Sequence, residues 1–72
     1  MTTIDATHLS QPDTVVLTRR TLHELKSGEV LEVQLTDPNS LQDIPTFCTN
    51  NGHKLLMAYE KNNTLFFEIE KG

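Results

Sequence analysis

The stretch Val30-Leu31-Glu32-Val33-Gln34-Leu35 alternates apolar and polar residues without a break. Because successive side chains of a β-strand point to opposite faces, this pattern predicts a strand whose Leu31, Val33 and Leu35 face the core. The two polar residues between them then face the other side. A sheet built around such a strand has one buried face, which the rest of the chain has to cover.

Helical spacing ahead of this strand predicts a first helix. Ser10 is expected to cap its N-terminus, with Pro12 in the first turn and Asp13 at the third helical position. The helix is expected to run to about residue 27 and to end at Gly28. Its buried stripe is predicted to consist of Val15, Thr18, Leu22 and Leu25.

A second helix is predicted after the strand. Ser40 can cap it, Pro45 removes one backbone donor and is expected to bend it, and Asn51-Gly52 closes it. Its buried stripe is predicted to consist of Leu41, Ile44, Phe47 and Cys48.

Three further strands complete the pattern. A short one is expected at residues 3–7, and residues 55–59 and 65–69 form a hairpin around the polar turn 61–64. The order βαβαββ predicts an α+β fold, a two-layer α/β sandwich in which two helices lie on one face of a mixed four-stranded sheet. Residues 1–72 are expected to form a single domain.

Composition narrows the function classes. The single cysteine, Cys48, excludes an intrachain disulfide and favours a reducing, cytoplasmic setting, and no apolar run is long enough to span a membrane. The net charge of -4 argues against nucleic acid as a partner. Arg19, Arg20 and Lys26 are interpreted as a solvated helix face, with an acidic partner site as the alternative.

Several short motifs share their order and spacing with a known family. They are Leu25–Val33, Thr36-Asp37-Pro38, Asp43-Ile44-Pro45, Phe47-Cys48 and Gly52–Leu56. In this combination, which extends over nearly the whole chain, the sequence resembles the TusA (SirA-like) sulfur-carrier family. The resemblance implies a two-layer sandwich with a Cys-Pro-x-Pro motif where the first helix begins. A thiol at a helix N-terminus has a lowered pKa, so its thiolate can accept and pass on a sulfane sulfur.

The chain departs from the family pattern at that motif. Pro12 matches the first proline, but Gln11 stands at the position of the cysteine, Thr14 at the second proline and His8 at a customary glycine. An amide cannot form a persulfide, so the role of the family nucleophile cannot be transferred to Gln11. No catalytic residue is therefore assigned. Whether the chain is an enzyme stays open, and the missing nucleophile argues against it.

The sequence leaves three functions open. The first is a non-catalytic module that binds a protein, possibly of the sulfur-transfer machinery, or a small ligand; its candidate residues are His8, Ser10, Gln11, Pro12 and Asp13. The second is a sulfur carrier that uses Cys48, although its place on an apolar helix face predicts a buried thiol. The third is an RNA-binding module, which the negative charge disfavours.

The sequence also bears on metal binding, cofactor binding and self-association. The three histidines lack the spacing of metal ligands, so neither a metal nor a cofactor is expected. Phe66 is predicted to lie on the open face of the sheet, where an exposed aromatic could support a weak homodimer; a monomer is the alternative.

Overall fold

The computed structural model describes residues 1–72 as a four-stranded sheet with two helices on one face. The elements are β1 (Thr2–Asp5), α1 (Asp13–Glu24), β2 (Val30–Leu35), α2 (Ser40–Asn50), β3 (Lys54–Lys61) and β4 (Thr64–Glu70). The predicted βαβαββ order and α+β sandwich are confirmed. Neither helix has the length and apolar character needed to cross a membrane.

The sheet is mixed, with the strand order β1-β2-β4-β3. β1 pairs with β2 in parallel, while β4 pairs antiparallel with both β2 and β3. Because β1 and β2 run in the same direction, the loops that follow them leave the sheet at the same edge. Those two loops lead into α1 and α2, so the N-termini of both helices lie near that edge.

The core lies between the sheet and the helices. Leu31, Val33 and Leu35 of β2 are buried as predicted, and every second residue of β4 joins them. Eleven buried residues form the core cluster: Ala6, Leu22, Leu31, Val33, Leu35, Ile44, Phe47, Cys48, Leu65, Phe67 and Ile69. The alternation seen in the sequence therefore corresponds to one buried face of the two central strands.

The helix faces differ in part from the predicted stripes. In α1 the buried residues are Thr14, Thr18 and Leu22, whereas Val15 and Leu25 are only partly buried. In α2 Ile44, Phe47 and Cys48 are buried as expected, but the prediction for Leu41 is wrong, since its side chain is 60% exposed. Ser40 is buried in its place because residues 40, 44, 47 and 48 follow one helix face at four- and three-residue spacing.

The ends of the helices also correct the sequence predictions. The cap positions are Pro12 and Asn39, and neither makes a side-chain cap bond, so Ser10 and Ser40 are not caps. Pro12 precedes α1, and Asp13 is its first residue rather than its third. Pro45 does lie inside α2.

α1 ends at Glu24, three residues earlier than predicted, because the backbone of Leu25 is extended, with φ of -91° and ψ of 158°. Lys71 Nζ donates to the carbonyl of Leu25 at 2.8 Å and to that of His23 at 3.5 Å. Gly28 follows with φ of 89° and donates its N–H to the Lys71 carbonyl at 2.8 Å. The glycine thus serves a turn beyond the helix, in a backbone region that other residues rarely adopt.

β1 is also shorter at its end than predicted. It stops at Asp5, whose carboxylate accepts hydrogen bonds from the N–H and hydroxyl of Thr7 at 2.9 and 2.6 Å. An aspartate that binds the backbone two residues on begins a turn, which ends the extended segment. These bonds also lower the pKa of Asp5.

Several apolar side chains of the β3–β4 hairpin lie outside the core. Its two-residue loop, Asn62-Asn63, has positive φ at both positions, as the common tight hairpin turn requires. Phe66 lies on the open face as predicted and stacks on Tyr59, with ring centroids 4.8 Å apart. Leu56 and Met57 are exposed where a bulge interrupts β3. Self-association through this face stays a prediction.

Two buried threonines of α1 provide a matched test of the packing. Thr14 Oγ1 is buried with no hydrogen-bond partner, whereas Thr18 Oγ1 donates to the Thr14 carbonyl at 2.7 Å. An unpaired buried hydroxyl costs about 1–3 kcal/mol, so Thr14→Val is expected to raise the free energy of unfolding by about 1 kcal/mol. Thr18→Val, which loses a bond, is expected to lower it by up to about 1 kcal/mol.

Urea unfolding of both variants measures these changes as shifts of the midpoint at constant slope. A Thr14→Val protein no more stable than the Thr18→Val protein would contradict the assignment of the unpaired hydroxyl.

Candidate functional site

The loop between β1 and α1 is held by the loop between β2 and α2. Thr36 Oγ1 donates to the Thr7 carbonyl at 2.8 Å, and the Gln11 N–H donates to Asp37 Oδ2 at 2.9 Å. Since these residues are more than twenty positions apart in sequence, the bonds are tertiary contacts. They fix the backbone immediately ahead of α1, where the family resemblance places a nucleophile.

The Gln11 side chain makes a third bond between the same two loops. Its Nε2 donates to Ser40 Oγ at 3.2 Å, at the start of α2. Its Oε1 is buried without a partner, although the residue as a whole is half-buried. The amide group therefore lies against α2, and it brings to this position neither a thiol nor an acid or base that titrates near neutral pH.

The carboxylate of Asp37 holds the loop that contains Gln11 through hydrogen bonds. Its carboxylate accepts the N–H groups of Gln11 and Asn39, both at 2.9 Å, and these bonds lower its pKa. A carboxyl whose pKa is lower in the folded state stabilises the fold above its unfolded pKa. That contribution is lost as the pH falls through the lowered value, so acid weakens the attachment of the Gln11 loop.

A cleft of about 360 Å³ lies beside Gln11, between the start of α1 and the outer face of α2. Its lining residues are Gln11, Pro12, Val15, Asp43, Thr46, Phe47, Asn50 and Asn51. Of the five candidate residues, Gln11 and Pro12 line this cleft. His8, Ser10 and Asp13 are exposed on the surrounding loop and do not line it.

Sequence reasoning missed the residues that position Gln11. Ser40 was expected only to cap α2, and Thr36 and Asp37 were noted only as part of the family-like pattern Thr36-Asp37-Pro38. Their approach to Gln11 depends on the parallel pairing of β1 with β2, which carries both loops to one edge. Thr36 and Asp37 directly follow β2, the strand that the sequence predicts most clearly. Their position was the signal that could have identified them as contacts of the Gln11 loop.

Cys48 lies on the core side of α2 and is 2% exposed, as the apolar stripe predicted. Burial raises the pKa of its thiol to about 11, because the charged thiolate is disfavoured away from water. His53, just beyond α2, has a lowered pKa, first because it is partly buried and second because Lys71 is nearby. No set of three or more histidine, cysteine or acidic side chains is arranged to hold a metal ion.

The sequence matches a known protein family and several of its members. Residues 2–71 match the family model described as Sulfurtransferase TusA. The sulfur carrier protein TusA of Pseudomonas entomophila is 42% identical over 69 residues, which are 96% of this chain and 86% of the relative. A Pseudomonas putida TusA is 38% identical over 68 residues, 94% of this chain and 85% of the relative.

A solved structure shares the complete fold. The crystal structure of a SirA-like protein from Desulfitobacterium hafniense gives a TM-score of 0.88 at 28% sequence identity, and the match covers 100% of this chain and 99% of that one. Fold and sequence together define a protein of the small TusA/SirA-like sulfur-carrier class. The chain belongs to the TusA family.

The environment of Cys48 predicts a slow and strongly pH-dependent alkylation. Iodoacetamide reacts with thiolate, whose fraction falls about tenfold for each pH unit below the pKa. We expect the native protein to resist iodoacetamide at pH 8, while protein unfolded in urea reacts fully in the same time, as measured by intact mass. Rapid labelling of the native protein would show that Cys48 is accessible and would support its use as a carrier thiol.

Proposed function

We propose that this TusA-family protein is a non-catalytic module that binds a partner protein of the sulfur-transfer machinery through the surface around Gln11. It would act in the cytoplasm as a single domain of residues 1–72. The observation that carries the proposal is the bond between Gln11 Nε2 and Ser40 Oγ. An amide occupies the position at which the family resemblance places sulfur, and it is used to hold two loops together.

The chemistry of a carrier requires sulfur at this position. Thiolate attack on the outer sulfur of a donor persulfide forms a new sulfur–sulfur bond on the acceptor and releases the donor thiolate. Gln11 offers no sulfur for that bond. The single thiol of the chain, on Cys48, is buried and has a raised pKa, so two separate properties oppose its use as a substitute.

The surface around Gln11 has features suited to protein binding. Leu41 is 60% exposed in the first turn of α2, next to the Ser40 that holds Gln11, and Pro12 is exposed at the start of α1. Leu41 does not line the cleft, but it adds an exposed apolar side chain at the start of α2, and such side chains form the centre of protein interfaces. Sulfur carriers of this family act with sulfur-transfer proteins, so a protein of that class is the proposed partner.

Sulfur acceptance tests the non-catalytic part of the proposal. The chain is incubated with a cysteine desulfurase and cysteine, and intact mass reports the addition of one sulfur atom. We expect no addition to the unaltered chain and none to a Gln11→Ser control. Gln11→Cys is expected to gain sulfur, because its thiol would stand at the start of α1 near the positive end of the helix dipole.

Transfer to the unaltered chain at a rate near that of a cysteine-bearing relative would overturn the proposal. If Cys48→Ala removed that transfer, the function would be that of a carrier using Cys48.

Partner binding tests the other part of the proposal. The affinity for a cysteine desulfurase that serves a TusA relative is measured by calorimetry for Leu41→Asp and for Leu56→Asp. Both leucines are exposed, but Leu56 lies on β3 rather than on α2. Leu41→Asp is expected to weaken binding at least about tenfold, the effect of losing a central apolar contact, and Leu56→Asp less than about twofold. Equal effects of the two changes, or no binding by the unaltered chain, would contradict the proposed surface.

A further inference from the structure

A second cleft, of about 380 Å³, lies where α1 ends, apart from Gln11. Its lining residues are Arg19, His23, Asn51, His53 and Lys71. They come from α1, from the turn after α2 and from the segment after β4, so only the folded chain brings them together. Asn51 also lines the cleft beside Gln11, which makes the two clefts neighbours. Four of the five residues carry a cationic group or an imidazole.

Hydrogen bonds leave donors available on these side chains. His53 Nδ1 accepts the N–H of Gly72 at 3.1 Å, so the neutral ring carries its proton on Nε2. Lys71 Nζ has three protons and donates two of them to the carbonyls of His23 and Leu25. Its ammonium therefore offsets the negative C-terminal end of α1, which would otherwise repel an anion, and retains one proton for a further acceptor.

Two of the few basic residues of the chain lie in this cleft. The chain has only six lysines and arginines against ten acidic residues, yet Arg19 and Lys71 line the same cleft with two histidines. Arg19 and His23 are four residues apart on α1 and so lie on one helix face. No side-chain carboxylate lines this cleft, although the adjacent cleft, which shares Arg19 and His23, also includes Arg20 and Glu24.

We propose that this cleft binds the oxyanion group, phosphate or sulfate, of a small molecule. The guanidinium of Arg19 presents paired N–H donors that suit the oxygens of such a group, and Lys71, His53 and the His23 ring supply further donors around it. The cleft is concave and confined to one end of α1. The net charge of -4 of the whole chain opposes an extended polyanion such as RNA, which favours a small ligand.

Sulfate provides the direct probe, because it stays fully charged across the pH range in which histidine titrates. Titration at constant ionic strength, balanced with chloride, is followed by the NMR signals of the backbone amides and of the histidine rings. We expect saturable shifts at residues 19, 23, 51, 53 and 71. Bound sulfate is also expected to raise the pKa of His53. In the free protein its ring accepts the N–H of Gly72, lies 5.7 Å from the Phe47 ring, and shares the cleft with Lys71, Arg19 and His23.

Two arginine variants separate a specific site from general attraction. Arg19→Gln and Arg20→Gln remove the same charge from adjacent positions of α1, both exposed, but only Arg19 lines the cleft. Arg19→Gln is expected to weaken sulfate binding at least about tenfold and Arg20→Gln less than about threefold. His53→Gln is expected to weaken sulfate binding as well, while the amide signals of Gln11 and Leu41, which do not line this cleft, stay unchanged.

Three results would overturn the proposal. The first is that the NMR shifts do not saturate with sulfate or with phosphate. The second is that the two arginine variants lose sulfate affinity equally. The third is that a single-stranded RNA binds these residues with steep salt dependence while sulfate does not. None of these measurements involves sulfur transfer or a desulfurase, so the outcome is independent of the function proposed for Gln11.

Discussion

Burial of a single sheet face is the constraint on which the rest of this structure depends. Alternating residues of β2 and β4 place a continuous apolar surface on one side of the sheet, and the 72-residue chain has two helices to cover it. Both helices therefore pack on the same face, each reached by a loop from a neighbouring strand. Since β1 and β2 are parallel, the two loops begin at one edge, and this places Gln11 within hydrogen-bond distance of Asp37 and Ser40.

Gln11 makes its hydrogen bonds at the position where the family resemblance places a cysteine. A cysteine there would present its sulfur at the start of α1, whereas the longer glutamine side chain donates to Ser40 and links α1 to α2. Thr14, at the position of the family's second proline, is buried rather than exposed. Both differences turn side chains at the start of α1 toward the interior, while Pro12 and Leu41 remain available on the surface.

Charge is distributed unevenly around the fold. Arg19 and Arg20 looked like an ordinary solvated helix face, and for Arg20 nothing in the structure changes that interpretation. Arg19 differs because the turn after α2 and the segment after β4 bring His53 and Lys71 to the same cleft. A net negative charge thus coexists with a local cationic cleft, which the acidic composition alone does not predict.

The sequence by itself determined the element order, the buried face of β2, the family and the absence of a thiol at position 11. These properties depend on local periodicity, turn residues and residue identity, which are encoded within a few neighbouring positions. Only the tertiary structure decided that Ser40 binds Gln11 instead of capping α2, that Leu41 is exposed, and that Arg19, His53 and Lys71 share a cleft. Helical spacing predicts which residues share one face of a helix, but not how the helix is rotated about its axis against the sheet. That rotation, like contacts between residues more than twenty positions apart, is set by how the whole core packs.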